Sequence, residues 1–177
     1  MDRRQKKSRK AIFSAFSNLL THKAYSQITV NEIIEKADVC RSTFYMHFET
    51  KDYLLKELCG EIFEHIFNGE ACELSMVDNN LLDKLTHVLT HLKNSEFKLA
   101  KILATDSNEL FMGYLKGYLA KLFLFHLNDF KIKVSEDFFI NHLVGSFSEA
   151  INWWVKKDME YPPNKIANDF LSLIEKH

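Results

Sequence analysis

Apolar residues recur at intervals of three and four positions along almost the whole chain, and this spacing restricts the fold more than any other feature of the sequence. Such spacing places apolar side chains on one face of a helix. Only five Gly and two Pro occur among 177 residues, so few positions favour turns or interrupt helices. The pattern predicts an all-α protein with about nine helices and no convincing strand. The predicted helices span residues 11–20, 30–37, 41–48, 51–67, 81–92, 96–104, 108–127, 136–157 and 163–176.

Charge is divided unevenly along the chain, although the net charge is only −1. The first 60 residues hold 11 Lys and Arg against 7 Asp and Glu, a net charge of +4, whereas the remainder holds 12 against 17, a net charge of −5. Such asymmetry indicates an anionic partner for the basic end. The alternative for the basic N-terminus is a solvated, disordered tail.

Three features of the sequence bear on the cellular compartment. There is no run of about 18 apolar residues, so we expect no membrane span and no membrane partner. The basic N-terminus lacks the apolar core of a signal peptide. Cys40, Cys59 and Cys72 are odd in number and lack CxxC spacing, which is typical of reduced thiols. These features predict a cytoplasmic protein.

The stretch CRSTFYMHFETK, residues 40–51, admits three interpretations. Cys40 and His47 are seven residues apart, whereas zinc ligands on one helix are usually three or four apart, so the spacing disfavours a metal or thiol site. An ordinary core helix also fits poorly, because only Phe44 and Phe48 are spaced to be buried together. The remaining cationic, hydroxyl and aromatic side chains suit phosphate oxygens and base edges.

The surroundings of this stretch match a helix-turn-helix, with a helix at 30–37, a break at 38–40 and a second helix at 41–48. On the residues alone, a DNA-reading helix and an ordinary short helix both stay open. The longer segment ITVNEIIEKADVCRSTFYMHFETKDYLLKEL, residues 28–58, resembles the DNA-binding domain of the TetR (tetracycline repressor) family of transcriptional regulators. The resemblance is carried, in order and spacing, by Ile28-Thr29-Val30, Glu32-Ile33, Thr43-Phe44-Tyr45, His47-Phe48 and Lys51.

The resemblance implies a division of the chain into two domains. Residues 6–66 would form the DNA-binding domain, with its helix-turn-helix at 29–48, and residues 67–177 a helical domain for effector binding and dimerisation. The long fourth helix would join the two. Asp38 departs from the family by replacing the usual Gly of the turn, although Asp tolerates a left-handed conformation better than most residues. Cys40 replaces the usual Ser or Thr and should cap the reading helix more weakly.

The resemblance also implies roles for single residues. The residues alone allow either Asn31 or Thr29 to cap the second helix. By the resemblance, Thr29 would be the cap and would touch a phosphate, and Lys51 would bind a further phosphate. Phe44 and Phe48 would belong to the core. The residues implied to contact bases or the DNA backbone are Arg41, Ser42, Thr43, Tyr45 and His47, of which the first two would face base edges. An N-terminal arm would reach the minor groove through Arg3, Arg4, Lys6 and Lys7.

In the C-terminal part, the resemblance implies that the helices at 136–157 and 163–176 pair with their copies in a four-helix bundle. The candidates for this dimer interface, which are apolar at helical spacing, are Phe147, Ile151, Trp154, Phe170 and Ile174. The alternative is that these residues pack inside their own subunit. The candidates for an effector pocket are Phe111, Tyr114, Tyr118 and Trp153, and the alternative for them is a filled aromatic core.

The function expected from these features is a homodimeric, ligand-responsive repressor of transcription that binds a palindromic operator in double-stranded DNA. The effector would be an unknown small molecule, apolar or aromatic in character. The alternatives are an activator or co-activator that responds to a protein or small-molecule partner, and a helical enzyme or carrier with a basic head. His87 and His91 lack a third metal ligand, and we find no catalytic constellation, so we expect no metal, no cofactor and no enzymatic activity.

Overall fold

The computed structural model describes residues 3–68, 80–94 and 108–174. Within these ranges the chain forms eight α-helices and no β-strand, which confirms the predicted all-α fold. The helices are α1 (Arg3–Leu20), α2 (Val30–Ala37), α3 (Arg41–His47), α4 (Lys51–Asn68), α5 (Leu81–Asn94), α6 (Asn108–Phe125), α7 (Glu136–Lys156) and α8 (Pro163–Ile174). None of the described helices combines the length and the apolar character needed to cross a membrane. The helix predicted at 96–104 lies outside the described residues.

Helices α1, α2 and α3 pack around a cluster of phenylalanines. The buried stripe of α1 includes Ile12, Phe13, Phe16 and Leu20, at the spacing of one helix face. Phe44 of α3 and Phe48, which follows α3, are both fully buried, and the Phe48 ring lies 5.3 Å from the Phe13 ring. Truncating a buried phenylalanine typically costs about 3–5 kcal/mol. These two side chains therefore fix which face of α3 turns outward.

The turn between α2 and α3 depends on one left-handed residue. Asp38 has φ 52° and ψ 50°. Its N–H donates to the Glu35 carbonyl at 3.2 Å, and the Val39 N–H donates to the Ile34 carbonyl at 3.2 Å. These bonds satisfy carbonyls at the end of α2, which would otherwise lack partners. Asp38 thus adopts the conformation that Gly usually provides, as expected from the sequence.

Helix α4 contacts both the N-terminal and the C-terminal helices. Near its start, Leu54 and Leu58 are buried, and Glu57 accepts a hydrogen bond from Arg9 of α1 at 3.0 Å. Further along, the ring of Phe63 lies 5.0 Å from that of Phe111 on α6. A change of packing at α6 can therefore reach the N-terminal helices through one continuous helix. The domain boundary at 66–67 stays a prediction.

Helices α5 to α8 pack in two pairs, α5 on α8 and α6 on α7. Phe123 of α6, Phe147 of α7 and Phe170 of α8 converge, with ring centroids 4.8 to 6.2 Å apart. The indole N–H of Trp154 donates to the Tyr161 carbonyl at 2.8 Å and so closes the connection before α8. Helix α8 begins at a proline, as expected because proline is tolerated in the first turn.

Candidate nucleic-acid interface

A capping box fixes the start of α2. The Thr29 hydroxyl oxygen accepts from the Glu32 N–H at 3.3 Å, and the Glu32 carboxylate accepts from the Thr29 N–H at 2.9 Å. Glu32 also accepts from the ammonium of Lys23. The hydrogen bonds from Lys23 and then from Thr29 lower the pKa of Glu32 to about 2. The cap predicted at Thr29 is confirmed, whereas its phosphate contact stays a prediction.

Helix α3 turns a mixed polar and apolar face to solvent. The exposed side chains of this face are Arg41, Ser42, Tyr45 and Met46. Tyr45 is 44% exposed and Met46 is 60% exposed. The aromatic residues thus divide as predicted, with Phe44 and Phe48 inward and Tyr45 outward. The sequence interpretation missed Met46, although its place four residues after Ser42 puts the two on one helix face.

The guanidinium of Arg41 is held from two directions. Its Nη1 donates to Oδ1 of Asn31 on α2 at 3.2 Å. Its Cζ lies 5.6 Å from the centroid of the Tyr45 ring, which is within cation–π range. The Tyr45 ring meets the buried Phe44 ring edge to face, with 5.4 Å between centroids. An arginine presented in this way can donate to both O6 and N7 of a guanine.

Cys40 stands at the N-cap of α3, and its side chain makes no capping hydrogen bond of the kind that Ser or Thr provides. The weak cap expected from the sequence is therefore confirmed. The sulfur lies 3.2 Å from the Ser42 hydroxyl oxygen and 3.0 Å from that of Thr43. Donation by the Ser42 hydroxyl and then by the Thr43 hydroxyl lowers the pKa of the thiol to about 7.

His47 ties the end of α3 to α1. Its Nε2 lies 2.7 Å from the hydroxyl oxygen of Ser8. Burial, and then the charge of Arg9, lower the pKa of the imidazole. Because Nε2 is engaged within the protein, the DNA contact implied for His47, which stays a prediction, would use the Nδ1 edge of the ring.

Lys51 joins the start of α4 to the segment that leads into α2. Its ammonium donates to the carbonyls of Tyr25 at 2.8 Å and Ile28 at 2.7 Å, and it lies 4.2 Å from the centroid of the Tyr25 ring. The Tyr25 hydroxyl donates to Asp52, and burial together with this carboxylate raises the pKa of Tyr25. With two of its three N–H groups engaged, Lys51 has one donor left for the phosphate implied by the resemblance.

The cations expected to form an N-terminal arm belong to helix α1. Arg3, Arg4, Lys6 and Lys7 lie in the first two turns of α1, and their side chains are exposed. Helix α1 thus begins eight residues before the predicted start at residue 11, and the contact of these cations with a minor groove stays a prediction. The physical reason for the earlier start is that Arg and Lys favour helices and that no Gly or Pro interrupts the segment.

The residues expected at the dimer interface are mostly buried in their own subunit. Phe147, Ile151 and Trp154 are fully buried in the core of the protomer, whereas Phe170 is 6% exposed and also lines a groove between α7 and α8. The dimer interface expected from the sequence stays a prediction. Ile174 lies at the core's edge. The outward faces of α7 and α8 enclose this groove, which has a volume of about 380 Å³. Its lining residues are His142, Ser146, Ala150, Trp153, Ile166, Asp169, Phe170, Leu173 and Ile174.

Of the four residues expected to line an effector pocket, Phe111 and Tyr118 meet at one ring of α4, whereas Trp153 lies elsewhere. The Phe63 ring of α4 packs against Phe111 at 5.0 Å and against Tyr118 at 5.1 Å, which is the arrangement of a filled aromatic core. Trp153 is 44% exposed, lines the groove between α7 and α8, and stacks on Tyr161 at 5.7 Å. Trp153 thus lies on the outward side of α7, and the effector pocket stays a prediction.

The two histidines of α5 lie close together. The rings of His87 and His91 have centroids 4.4 Å apart. Across the described parts of the chain, no group of three or more His, Cys, Asp or Glu is arranged to hold a metal ion.

Two family models match the chain. The model described as bacterial regulatory proteins of the tetR family matches residues 10–58, and the model described as a transcriptional regulator C-terminal region matches residues 79–176. The first region contains the helix-turn-helix, and the second covers more than half of the chain.

Relatives and solved structures agree with the family models. A TetR transcriptional regulator from Streptococcus agalactiae 2603V is 32% identical, with a TM-score of 0.80 over 99% of this chain and 97% of that one. The regulator FadR from Bacillus subtilis, in complex with stearoyl-CoA, shares the fold at 19% identity, with a TM-score of 0.64 over 94% of this chain and 97% of FadR. The dhaKLM operon transcriptional activator DhaS from Lactococcus lactis is 29% identical over 101 residues.

The extent of these matches differs between the relatives. The DhaS alignment covers 57% of this chain. The chain spans about half the length of DhaS and of a second curated relative from Bacillus subtilis, at 51% and 46%. The family models and the Streptococcus agalactiae structure nevertheless cover both the helix-turn-helix and the C-terminal helices. The chain therefore belongs to the tetR family of DNA-binding transcriptional regulators.

Proposed function

We propose that this protein is a homodimeric repressor that works in the cytoplasm, where it binds a palindromic operator through α3 and releases it when an apolar or aromatic small molecule binds. The observation that carries the proposal is the outward face of α3, on which Arg41 is held between Asn31 and the ring of Tyr45. Such a face offers a guanidinium to base edges and hydroxyls to phosphates. Its orientation depends on Phe44 and Phe48, which are buried.

The groove between α7 and α8 is the surface that we assign to the dimer. Trp153 and Leu173 line it and are 44% and 75% exposed. Large exposed apolar side chains that adjoin one another favour an interaction surface over solvent. A twofold axis along this groove would bring together two copies of α7 and α8 as a four-helix bundle. The proposed interface thus shares Phe170 and Ile174 with the one expected from the sequence and adds Trp153 and Leu173.

A dimer of this kind constrains the DNA site. The two copies of α3 would enter successive major grooves on one side of the duplex, about 34 Å apart or a multiple of this distance. A twofold-symmetric protein then requires an operator whose half-sites are inverted repeats.

The contact between α4 and α6 supports a response to a ligand. The Phe63 ring of α4 lies 5.0 Å from the Phe111 ring and 5.1 Å from the Tyr118 ring of α6. Burial raises the pKa values of the α6 tyrosines Tyr114 and Tyr118. A ligand that changes the packing of α6 would move α4 and alter the distance between the two α3 helices. The stearoyl-CoA bound to FadR supports an apolar effector.

Activation of transcription is the second candidate, because the relative DhaS is named an operon activator. Repression and activation differ in whether the bound protein lowers or raises transcription from the promoter. Transcription from a promoter that contains the operator should fall when this protein is added if it represses, and rise if it activates.

The experiment that tests DNA binding is selection from a pool of random duplexes with the full chain, followed by gel-shift titration of the selected site. We expect an inverted repeat that binds at least ~10³-fold more tightly than random DNA. Affinity should fall steeply as the salt concentration rises, because Lys and Arg displace counterions from the phosphates. Recovery of no preferred site at low and at moderate salt would overturn the proposal.

A further inference from the structure

Asn31 lies beside the DNA-facing surface of α3. It is not among the residues that the sequence predicts to contact DNA. Its side chain is exposed on the first turn of α2, and its Oδ1 accepts from Arg41 at 3.2 Å. Thr29 and Glu32 make the cap of α2, so the helix does not need Asn31 for its start. We propose that Asn31 is a positioning residue that sets the direction of Arg41 and thereby the base pair that α3 prefers. This inference rests on the proposed function of α3 as the reading helix.

The contacts of Arg41 with Asn31 and Tyr45 restrict the conformations of its long side chain. An unrestrained arginine populates many rotamers and can donate to more than one neighbouring acceptor, so it discriminates poorly between base pairs. Here the amide oxygen of Asn31 accepts from one nitrogen of Arg41, and the Cζ atom of Arg41 lies over the Tyr45 ring, 5.6 Å from its centroid. Tyr45 is itself braced by the buried Phe44 at 5.4 Å. The restraint therefore reaches back to the core through Tyr45 and Phe44.

Donor chemistry makes this restraint compatible with reading a base. A guanidinium has five N–H groups, and Asn31 accepts from only one of its three nitrogens. A guanine needs two donors, for O6 and N7, so enough donors remain. Asn31 is also neutral, whereas a carboxylate here would offset the charge of Arg41 and repel the phosphates. An amide thus holds the arginine without weakening its attraction to DNA.

The test uses the full chain, the duplex that the wild-type protein selects, and duplexes that each carry one changed base pair. Arg41→Ala should lose about 5- to 150-fold discrimination at one G·C pair, as expected for a bidentate contact. Asn31→Ala should lose about 3- to 10-fold discrimination at the same pair, because Arg41 stays present but is less restrained. The double variant should lose no more than Arg41→Ala, since the two residues act through one contact.

Two further variants separate positioning from a general structural effect. Asn31→Asp retains an acceptor for Arg41, so its discrimination ratio should stay within about twofold of wild type while every duplex binds more weakly because of the added negative charge. Asn128→Ala removes an exposed amide from the turn Leu127–Asp129. It should change neither the discrimination ratio nor the affinity for any duplex. Loss of folding would weaken binding to all duplexes without changing the discrimination ratio.

The outcomes distinguish this inference from the proposed function. If the wild-type chain selects no site, the proposed function fails and the inference fails with it. If a site is selected and Arg41→Ala relaxes it while Asn31→Ala does not, the inference alone is overturned. Equal weakening of all duplexes by Asn31→Ala, or relaxation at a different base pair, would likewise overturn the positioning role.

Discussion

At the scale of single residues, the thiols of Cys40 and Cys59 differ in pKa because of their surroundings. The hydroxyls of Ser42 and Thr43 lower the pKa of the exposed Cys40 thiol to about 7, whereas burial raises the pKa of Cys59 to about 12. Since the thiolate is the reactive form, we expect iodoacetamide to alkylate Cys40 with a midpoint near pH 7 and to spare Cys59 in the folded chain. Peptide mass spectrometry across a pH series measures both rates. A Cys40 midpoint near the ordinary thiol value of 9.0 would contradict this prediction, and Ser42→Ala should raise the midpoint.

The carboxylate of Glu32 gives the folded chain a pH dependence. Its pKa falls from 4.5 to about 2 on folding, first because of Lys23 and then because of Thr29. A lowered carboxyl pKa stabilises the folded state above the unfolded value of 4.5, and this stabilisation is lost as the pH falls towards 2. Glu32→Gln should therefore lower the melting temperature at neutral pH and change it little at the acidic end. Circular dichroism melts at several pH values test this, and an equal effect of the exposed Glu35→Gln would contradict it.

At the scale of elements, the turn between α2 and α3 contains a residue in a conformation that its β-carbon disfavours. Asp38 has φ 52° and ψ 50°. Asp38→Gly should raise the free energy of unfolding by about 0.5–1 kcal/mol, because glycine has no β-carbon, while Asp38→Ala should lower it. Urea unfolding at a constant m-value measures the change. A less stable glycine variant would show that the carboxylate stabilises the turn by more than the strain costs.

The junction between α4 and the segment leading into α2 depends on Lys51. Its ammonium donates to the carbonyls of Tyr25 and Ile28 at 2.8 and 2.7 Å. Lys51→Ala should lower the free energy of unfolding by about 1–3 kcal/mol, because charged hydrogen bonds to partly buried carbonyls are lost. Binding to cognate and random DNA should weaken alike, as expected for a residue that reads no base. The control is Lys56→Ala, which removes the same charge from an exposed site on α4, and equal effects of both variants would rule out a special role for these contacts.

At the scale of the whole molecule, helical spacing predicted burial but not the partner of each buried face. Phe147, Ile151 and Trp154 form a regular apolar stripe, and such a stripe looks the same whether it meets its own core or a second subunit. Trp153 and Trp154 are adjacent in sequence, but they point to different sides of α7, so Trp153 is exposed and Trp154 is buried. The contacts of Asn31 with Arg41 and of His47 with Ser8 join residues 10 and 39 positions apart. Periodicity within one helix contains no information on such contacts. The cap at Thr29 and the left-handed turn at Asp38 could be predicted, because each involves only residues that are close in sequence.

The assembly of the whole molecule, in the proposed function, depends on the groove between α7 and α8. Leu173 is 75% exposed and lines this groove, whereas Leu124 of α6 is 56% exposed and is not among the lining residues. A carboxylate at position 173 would lose water in an apolar interface, so Leu173→Glu should raise the dissociation constant of the dimer ~100-fold or more. Leu124→Glu should leave it unchanged, and sedimentation velocity measures both.

Because Leu173 lies outside the buried core, the Leu173→Glu subunit should keep its helical circular dichroism. The same variant should bind a palindrome no better than a single half-site, since the preference for two half-sites comes from joining two reading helices. An unchanged dissociation constant would move the subunit contact to another surface. In that case the exposure of Trp153 and Leu173 would need a different partner, and the spacing of the half-sites could no longer be derived from α7 and α8.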